Sequence, residues 1–413
     1  MEGSMNARIV ITGAGVISPI AAGLADFEKA LYAGAWGVAP SLLLGGGAVT
    51  AEVRDFSPQQ WLGNKGIRVL DRTARLLCVA AQMALSGAGR VPSGTLGDSG
   101  EADTKAGLVC GTMLGSIHSI TAFDWDGLED GPNLVNPMDF PNTVINSAAG
   151  QAAIKFKLGG INSTLCAGAA SGLYALHYAA EFLRLGRAQM LLAGGVEELS
   201  QEAFLGFRKN HLLSAAGAPR PFAPERDGAV LGEGAALLVL ETADAARERG
   251  AQPWAEIAGF GCAQDACSTH SYHVGADGAT EAIQMALESA GIPAAGIACI
   301  IASASGSRPG DAMEFHALQH VFGERLEEIP VCAPKAALGD SLGAAGAMAA
   351  LAGVLALKNQ CVPPTSGAGD SADGIRIAAR SQAIRGEYAL INAFGCDGNN
   401  AALVLRRSAG SGE

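Results

Sequence analysis

Met190 to Gly194 (MLLAG) and Ala235 to Leu240 (AALLVL) contain no polar residue at all. A strand with one face in water alternates polar and apolar side chains, so an unbroken apolar run must be covered on both faces. Arg8 to Gly13 (RIVITG), Ala106 to Cys110, Trp254 to Phe260 and Ile297 to Ser303 read as further buried strands. Between them, Leu24 to Ala33, Ala74 to Ser86, Gly172 to Leu185, Thr280 to Ala290 and Ala312 to Phe322 have helical spacing. The rhythm predicts a layered α/β protein around a mostly parallel sheet. It restarts after the charged segment Asp244 to Gly250, giving an N-terminal half over 6–250 and a C-terminal half over 251–407. The restart suggests a duplication, although internal identity is faint.

Composition fits that architecture. The chain has 413 residues, 56 of them Gly, and only 5% are aromatic. Small side chains at that density let helices and sheets approach closely. The formal charge of −12 argues against nucleic acid or an anionic membrane as partner. The nine Cys are scattered without CxxC pairs and are odd in number. They read as a reduced, cytoplasmic set with neither disulfides nor a zinc site. The longest uncharged apolar stretch, Ser341 to Leu357, is too short to span a bilayer and predicts a helix buried on all sides. Gly3-Ser4 before a second Met marks residues 1–5 as a cloning scar, and no signal peptide is evident. Ser93 to Asp103 and the last few residues read as poorly ordered linkers.

Four collinear segments resemble the elongating β-ketoacyl-acyl-carrier-protein synthases of the thiolase superfamily. They are RIVITGAGVISP at the start, Arg220 to Glu241 (RPFAPERDGAVLGEGAALLVLE), Lys335 to Gly346 (KAALGDSLGAAG) and Asn392 to Asn400 (NAFGCDGNN). The likeness covers nearly the whole chain. It implies a thiolase-like five-layered αβαβα fold, built from two similar halves and normally dimeric.

In such synthases a Cys at a helix N-terminus accepts the acyl chain, and two His help decarboxylate malonyl and stabilise the enolate. Counting from Leu158-Gly159-Gly160 and from Ala193-Gly194-Gly195, the nucleophile position falls on Ala169. Cys166 lies earlier, toward the end of the preceding strand, and reads as a buried small hydrophobe. The first His position holds Ser303, in IASASGSRPGD, and the second holds Asp340. Ser305 and Ser307 fall where the family has Thr hydroxyls near the pantetheine arm, and a family Glu corresponds to Ala349. The gate position is Cys396, followed by Asp397 instead of Gly. Lys335 is expected to pair with Asp340 or Asp311, while Asp311, Glu314, Glu233 and Asp227 brace backbone. No metal site is expected: His270 and His273 have no completing ligands, and His316 and His320 lack a HExxH-type Glu.

With all three positions replaced and the scaffold kept, the chain resembles the chain-length factor, or β subunit, of type II polyketide synthases. That resemblance implies no catalysis of its own, no cofactor of its own, and a heterodimer with an active ketosynthase. Acyl and malonyl groups would arrive on the phosphopantetheine of an acyl carrier protein. Leu114, Ile117, Thr121, Met138 and Phe140 would line the tunnel and interface. Two alternatives stand beside it: a divergent acyltransferase or hydrolase using Cys166 or Ser303, and a homodimeric non-catalytic scaffold.

Overall fold

A computed structural model describes residues 7–90, 101–267, 271–369 and 374–408. Residues 1–5, residues 93–100 of the expected linker, His270 and the chain's last five residues lie outside the described residues. Asp103, at the linker's other end, is docked: its N–H donates to Lys157 O at 2.9 Å and its carbonyl accepts from Gly159 N at 2.8 Å.

Ten strands form the main path of an eleven-stranded sheet, the eleventh being the short Ala21–Ala22 strand paired with β1: β1 (Ile9–Ser18), β2 (Ala106–Gly111), β3 (Asn162–Leu165), β4 (Met190–Glu197), β5 (Gly234–Thr242), β6 (Ala255–Gln264), β7 (Ile297–Ile301), β8 (Val331–Cys332), β9 (Tyr388–Phe394) and β10 (Asn399–Arg407). The longer helices are α1 (Leu24–Tyr32), α2 (Arg72–Gly87), α3 (Ile117–Glu129), α4 (Ser147–Phe156), α5 (Ser171–Arg184), α6 (Gln201–Lys209), α7 (Asp277–Ala290), α8 (Arg308–Phe322) and α9 (Ala345–Asn359). The strand order is β8-β7-β9-β10-β6-β1-β5-β4-β2-β3. Read from the centre outward, β1-β5-β4-β2-β3 repeats as β6-β10-β9-β7-β8. The two sets meet through only Val10↔Glu256 and Ile11↔Ala255.

The apolar runs are buried throughout, as β4 shows from Met190 to Glu197. Their directions differ from expectation. Only β2–β3, β2–β4, β7–β8 and β7–β9 pair in parallel. The pairs β1–β5, β4–β5, β9–β10, β6–β10 and β1–β6 are antiparallel. Unbroken apolar runs report that both faces are covered, and helices cover both faces here whatever the strand direction.

Between the two sheet halves lie α5 and α9, the central layer; α2 and α4 cover one outer face, α7 and α8 the other. This is the five-layered αβαβα thiolase-like fold. The stretch Leu342–Asn359 is apolar enough to cross a membrane by length and composition, but its residues are 89% buried inside the protein. Helix α9 is buried from Ala345 to Leu357.

The layers approach so closely that glycine is required at specific points. A Cβ on Gly15 of β1 would run into Ala80 O and Ala84 N of α2. A Cβ on Gly261 of β6 would run into Ala282 O and Ala286 N of α7. The same device seats an alanine-rich helix on each half. Helix α8 begins at Arg308, ahead of the expected Ala312, because Ser307 caps it by accepting from Gly310 N and Pro309 fits its first turn.

Candidate active site

Four segments leave the carboxyl ends of β3, β7, β8 and β9 and converge beside the central helices. Ala169, Ser303, Lys335, Asn392 and Ala349 line one pocket there. A second small pocket, sharing Ser303, is lined by Ser305, Asp311, Glu314, Tyr272 and Phe394.

The turn from β3 to α5 is held by Ser171. Its Oγ accepts from Ala167 N at 2.9 Å and lies 2.6 Å from Gly168 O and 3.1 Å from Thr112 O. Ala169 is buried at the end of that turn. It offers a methyl group and no nucleophile.

Cys166 is not the buried hydrophobe that the sequence suggested. It is exposed, following β3, which is the edge strand of the sheet among the described residues. The thiol donates to Met113 O at 3.2 Å. Partial burial and the Glu197 and Asp397 carboxylates push its pKa up, against the Gly168 N–H, which pulls it down.

Ser303 is occupied by backbone. Its Oγ accepts from Phe394 N at 2.9 Å and donates to Phe394 O at 3.3 Å, while its N–H donates to Glu314 Oε1 at 2.9 Å. No base reaches that hydroxyl in this arrangement, so it has no means of becoming a nucleophile. Asp340 pairs with Lys335 at 3.0 Å, both side chains being about nine-tenths buried. The other Asp340 oxygen accepts from Leu342 N at 3.2 Å.

Asp311 accepts from Phe222 N, Ser305 N and Gly306 N at 2.8, 3.0 and 3.2 Å. Burial still raises its pKa to about 6. Glu314 accepts from Asn392 Nδ2 at 2.9 Å as well as from Ser303 N, and burial raises it to about 7. Glu233 receives Arg72 Nε at 2.6 Å and Val53 N at 2.8 Å. Asp227 holds Ser214 Oγ at 2.5 Å and Ala216 N at 3.0 Å. Cys396 is buried beside the site, its pKa raised to about 11 by burial and then by Asp397.

The sequence reading missed Glu197. This fully buried carboxylate accepts from Met113 N, Leu114 N, Gly343 N and Thr112 Oγ1, and so fixes the loop against which the Cys166 thiol rests. The signal was present as a glutamate ending an apolar strand, where only a bonded acid is tolerated.

The five tunnel candidates do not meet at the pocket. Leu114 packs with Leu199 and Leu342. Ile117 opens α3, a helix with no buried residue, and Thr121 is exposed on it. Met138 and Phe140 are exposed, with the Phe140 ring 6.0 Å from that of Phe123. His273 contacts Asp277 at 3.1 Å and His316 contacts Val274 O at 3.1 Å. Among the described residues no group of three or more His, Cys, Asp or Glu is placed to hold a metal ion.

Comparison with known proteins supplies the family. Residues 6–246 match the β-ketoacyl synthase N-terminal domain and residues 254–368 its C-terminal domain. The chain is 32% identical to the 3-oxoacyl-[acyl-carrier-protein] synthase 2 of Rhizobium meliloti, covering 98% of this chain and 99% of that one. It is also 32% identical to the synthase of the same name from Coxiella burnetii, over 97% and 98% of the two chains. Among solved structures, the ishigamide ketosynthase/chain length factor superposes with a TM-score of 0.89 at 29% identity, covering 98% of this chain and all of that one. A β-ketoacyl synthase from Burkholderia phymatum gives 0.86 at 31%, again over 98% and 100%.

These relatives overturn the expectation of a non-catalytic chain-length factor that is no enzyme on its own: the curated relatives, matched over nearly their whole length, are named synthases. Substitution at Ala169, Ser303 and Asp340 removes one set of groups, but it leaves the β-ketoacyl synthase scaffold and an exposed thiol in place, so inactivity does not follow from it. The chain belongs to the β-ketoacyl synthase family.

Proposed function

We propose that the protein is an acyl-thioester-using enzyme of the β-ketoacyl synthase type, with Cys166 as its acyl acceptor. The observation that carries this reading is the thiol's position. Of nine cysteines Cys166 alone is exposed, and it stands on the turn that leads into α5 and the pocket. In the reaction the Cys166 thiolate attacks the carbonyl of an acyl group borne on the phosphopantetheine of an acyl carrier protein. The carbon–sulfur bond to pantetheine breaks, its thiol leaves with a proton, and the acyl group stays on Cys166. Loss of carbon dioxide from a carrier-bound malonyl unit then leaves a carbanion that attacks the acyl carbonyl, and the acyl–sulfur bond breaks to return the Cys166 thiolate. No imidazole stands at Ser303 or Asp340, and the Lys335 ammonium that lines the pocket is engaged by Asp340 at 3.0 Å, so stabilisation of a developing oxyanion falls to hydrogen-bond donors at the site. The carrier as partner is supported by the relatives' names and by a solved ketosynthase complex with an acyl-carrier protein, which this chain resembles at 26% identity with a TM-score of 0.87. The free state of all nine cysteines suits a reducing, cytoplasmic setting.

The test is intact-protein mass spectrometry after incubation with an acyl-carrier-protein thioester, followed by peptide mapping. One acyl adduct on Cys166, absent from Cys166→Ser, is the expected result. Absence of any adduct, or one that survives Cys166→Ser, overturns the assignment.

The same reading includes pairing with a second chain of ketosynthase fold. It is supported by the free edge of β3 and by the exposed apolar segment that holds Met138 and Phe140.

A further inference from the structure

The turn before α9 has a conformation that its sequence does not favour. Leu342 takes φ 47°, in the left-handed region that a bulky side chain enters only under constraint. Two successive amides hold it there. Leu342 N donates to Asp340 Oδ1 at 3.2 Å, and Asp340 is itself fixed by Lys335 at 3.0 Å. Gly343 N donates to Oε2 of the fully buried Glu197 at 3.0 Å. Glu197 ends β4, in the other half of the molecule. We infer that Glu197 is a positioning residue: it ties this turn to the loop after β2 and so sets Leu114 and Leu342 as one apolar wall that decides how long an acyl chain the site accepts.

The same carboxylate gathers that loop. Its Oε2 also accepts from Met113 N at 2.6 Å, and its Oε1 accepts from Leu114 N at 2.9 Å and Thr112 Oγ1 at 3.1 Å. Loop and turn touch: a Cβ on Gly343 would overlap Thr112 Cα and Met113 N. One side of the turn faces the pocket, where Ser341 and Ala345 are lining residues. The other side carries Leu342, buried with Leu199 and Leu231. Leu114, Phe204 and Phe207 pack against them half-buried, so the cluster keeps an apolar face that is not fully covered. An acyl chain reaching that face gains by burying methylenes, and the gain depends on the face holding its shape.

This inference rests on the protein using acyl thioesters, and the test separates the two. Amide hydrogen exchange in the full-length protein is followed by mass spectrometry over 112–115 and 341–344, with β4 as the control for folding. In Glu197→Gln the remaining oxygen serves Met113 and Gly343, since Thr112 can turn its hydroxyl to accept from the new amide while Leu114 N cannot. Exchange at 112–115 should therefore quicken at least about tenfold with 341–344 little changed. In Glu197→Ala both segments should quicken together. The second measurement is the rate at which the protein takes acetyl and decanoyl groups from an acyl carrier protein, read by intact mass. Glu197→Gln should lower the decanoyl-to-acetyl ratio at least about fivefold, because only the longer chain reaches the wall. Leu342→Gly, which needs no support for a left-handed backbone, should lower the ratio in the same direction while 112–115 stays protected. It carries the test if the Glu197 variants do not fold, and a ratio that it leaves unmoved overturns the specificity role. A rate loss equal for both donors in Glu197→Gln is general loosening and overturns that role as well. Unchanged exchange in Glu197→Ala, or quickening of one segment alone, overturns the tie. If the parent takes no acyl group while both segments open in Glu197→Ala, the acyl-enzyme reading fails and the tie stands.

Discussion

At the scale of single residues, the site is built from groups whose charge is either answered locally or displaced by burial. Lys335 and Asp340 form the clearest answered pair, at 3.0 Å and shielded from water. Removing one partner leaves a buried charge without compensation, which typically costs about 3 kcal/mol or more. Lys335→Met should therefore lower stability by roughly that amount in a denaturant titration. Lys335→Met with Asp340→Leu should recover much of the loss, because a matched apolar pair leaves no orphan charge. The buried acids give a second expectation. Burial raises Glu197 and Glu314 to about 7 and Glu198 to about 8. An acid whose folded pKa lies above its unfolded value binds its proton more tightly when folded. It contributes fully below the unfolded pKa, and the contribution is lost as pH climbs toward the folded one. Stability should fall from about pH 5 to pH 8, and Glu198→Gln should flatten that slope by at least about 1 kcal/mol. Equal slopes in the two proteins would refute the assignment. Much of this layer is legible in sequence: Lys335 is expected to pair with Asp340 or Asp311, and it pairs with Asp340. The exposure of Cys166 is not, because it follows from β3 being the edge strand among the described residues.

At the scale of elements, burial was legible and direction was not. MLLAG and AALLVL announced strands with two covered faces, and the uncharged stretch before Leu357 announced a helix buried all round. No local signal distinguishes parallel from antiparallel pairing when helices cover both faces, so the antiparallel seams of β1, β5, β6, β9 and β10 emerged only from the assembled sheet. The repeated strand order shows a duplication that sequence identity barely hints at. Its residue-level trace is the glycine pair at Gly15 and Gly261, each admitting a helix backbone where a side chain would stand. Gly15→Ala and Gly261→Ala should each cost about 3 kcal/mol, the upper end of the usual overpacking range. Gly150→Ala, on α4 with open space around its Cα, should cost nothing and gain from helix propensity. Calorimetry on the three proteins decides this. Equal melting temperatures would mean that the layers yield more easily than their close approach implies.

At the scale of the whole molecule, the largest unexplained feature is the excursion from α3 to Phe140. Trp125 is 58% exposed, Leu128 80%, Leu134 73%, Met138 67% and Phe140 57%. An isolated soluble chain seldom presents so many large apolar side chains in one segment. Helix α3 has no buried residue, so packing within one chain does not explain why the segment is apolar. A second chain does. The edge of β3 offers unpaired backbone on an element that is partly exposed, and edge strands left open are natural places for another chain to add. If a second ketosynthase-fold chain covers both features, the interface should exceed about 1,600 Å² in total and persist at micromolar concentration. Purified protein should then run as a dimer by light scattering coupled to size exclusion. Leu128→Asp with Trp125→Ser should shift it to monomer while leaving far-ultraviolet circular dichroism unchanged, since neither side chain supports the core. A monomeric wild type that remains soluble at tens of micromolar, or a doubly substituted protein that dimerises as well as its parent, would mean that the apolar excursion serves something other than a second copy of the fold.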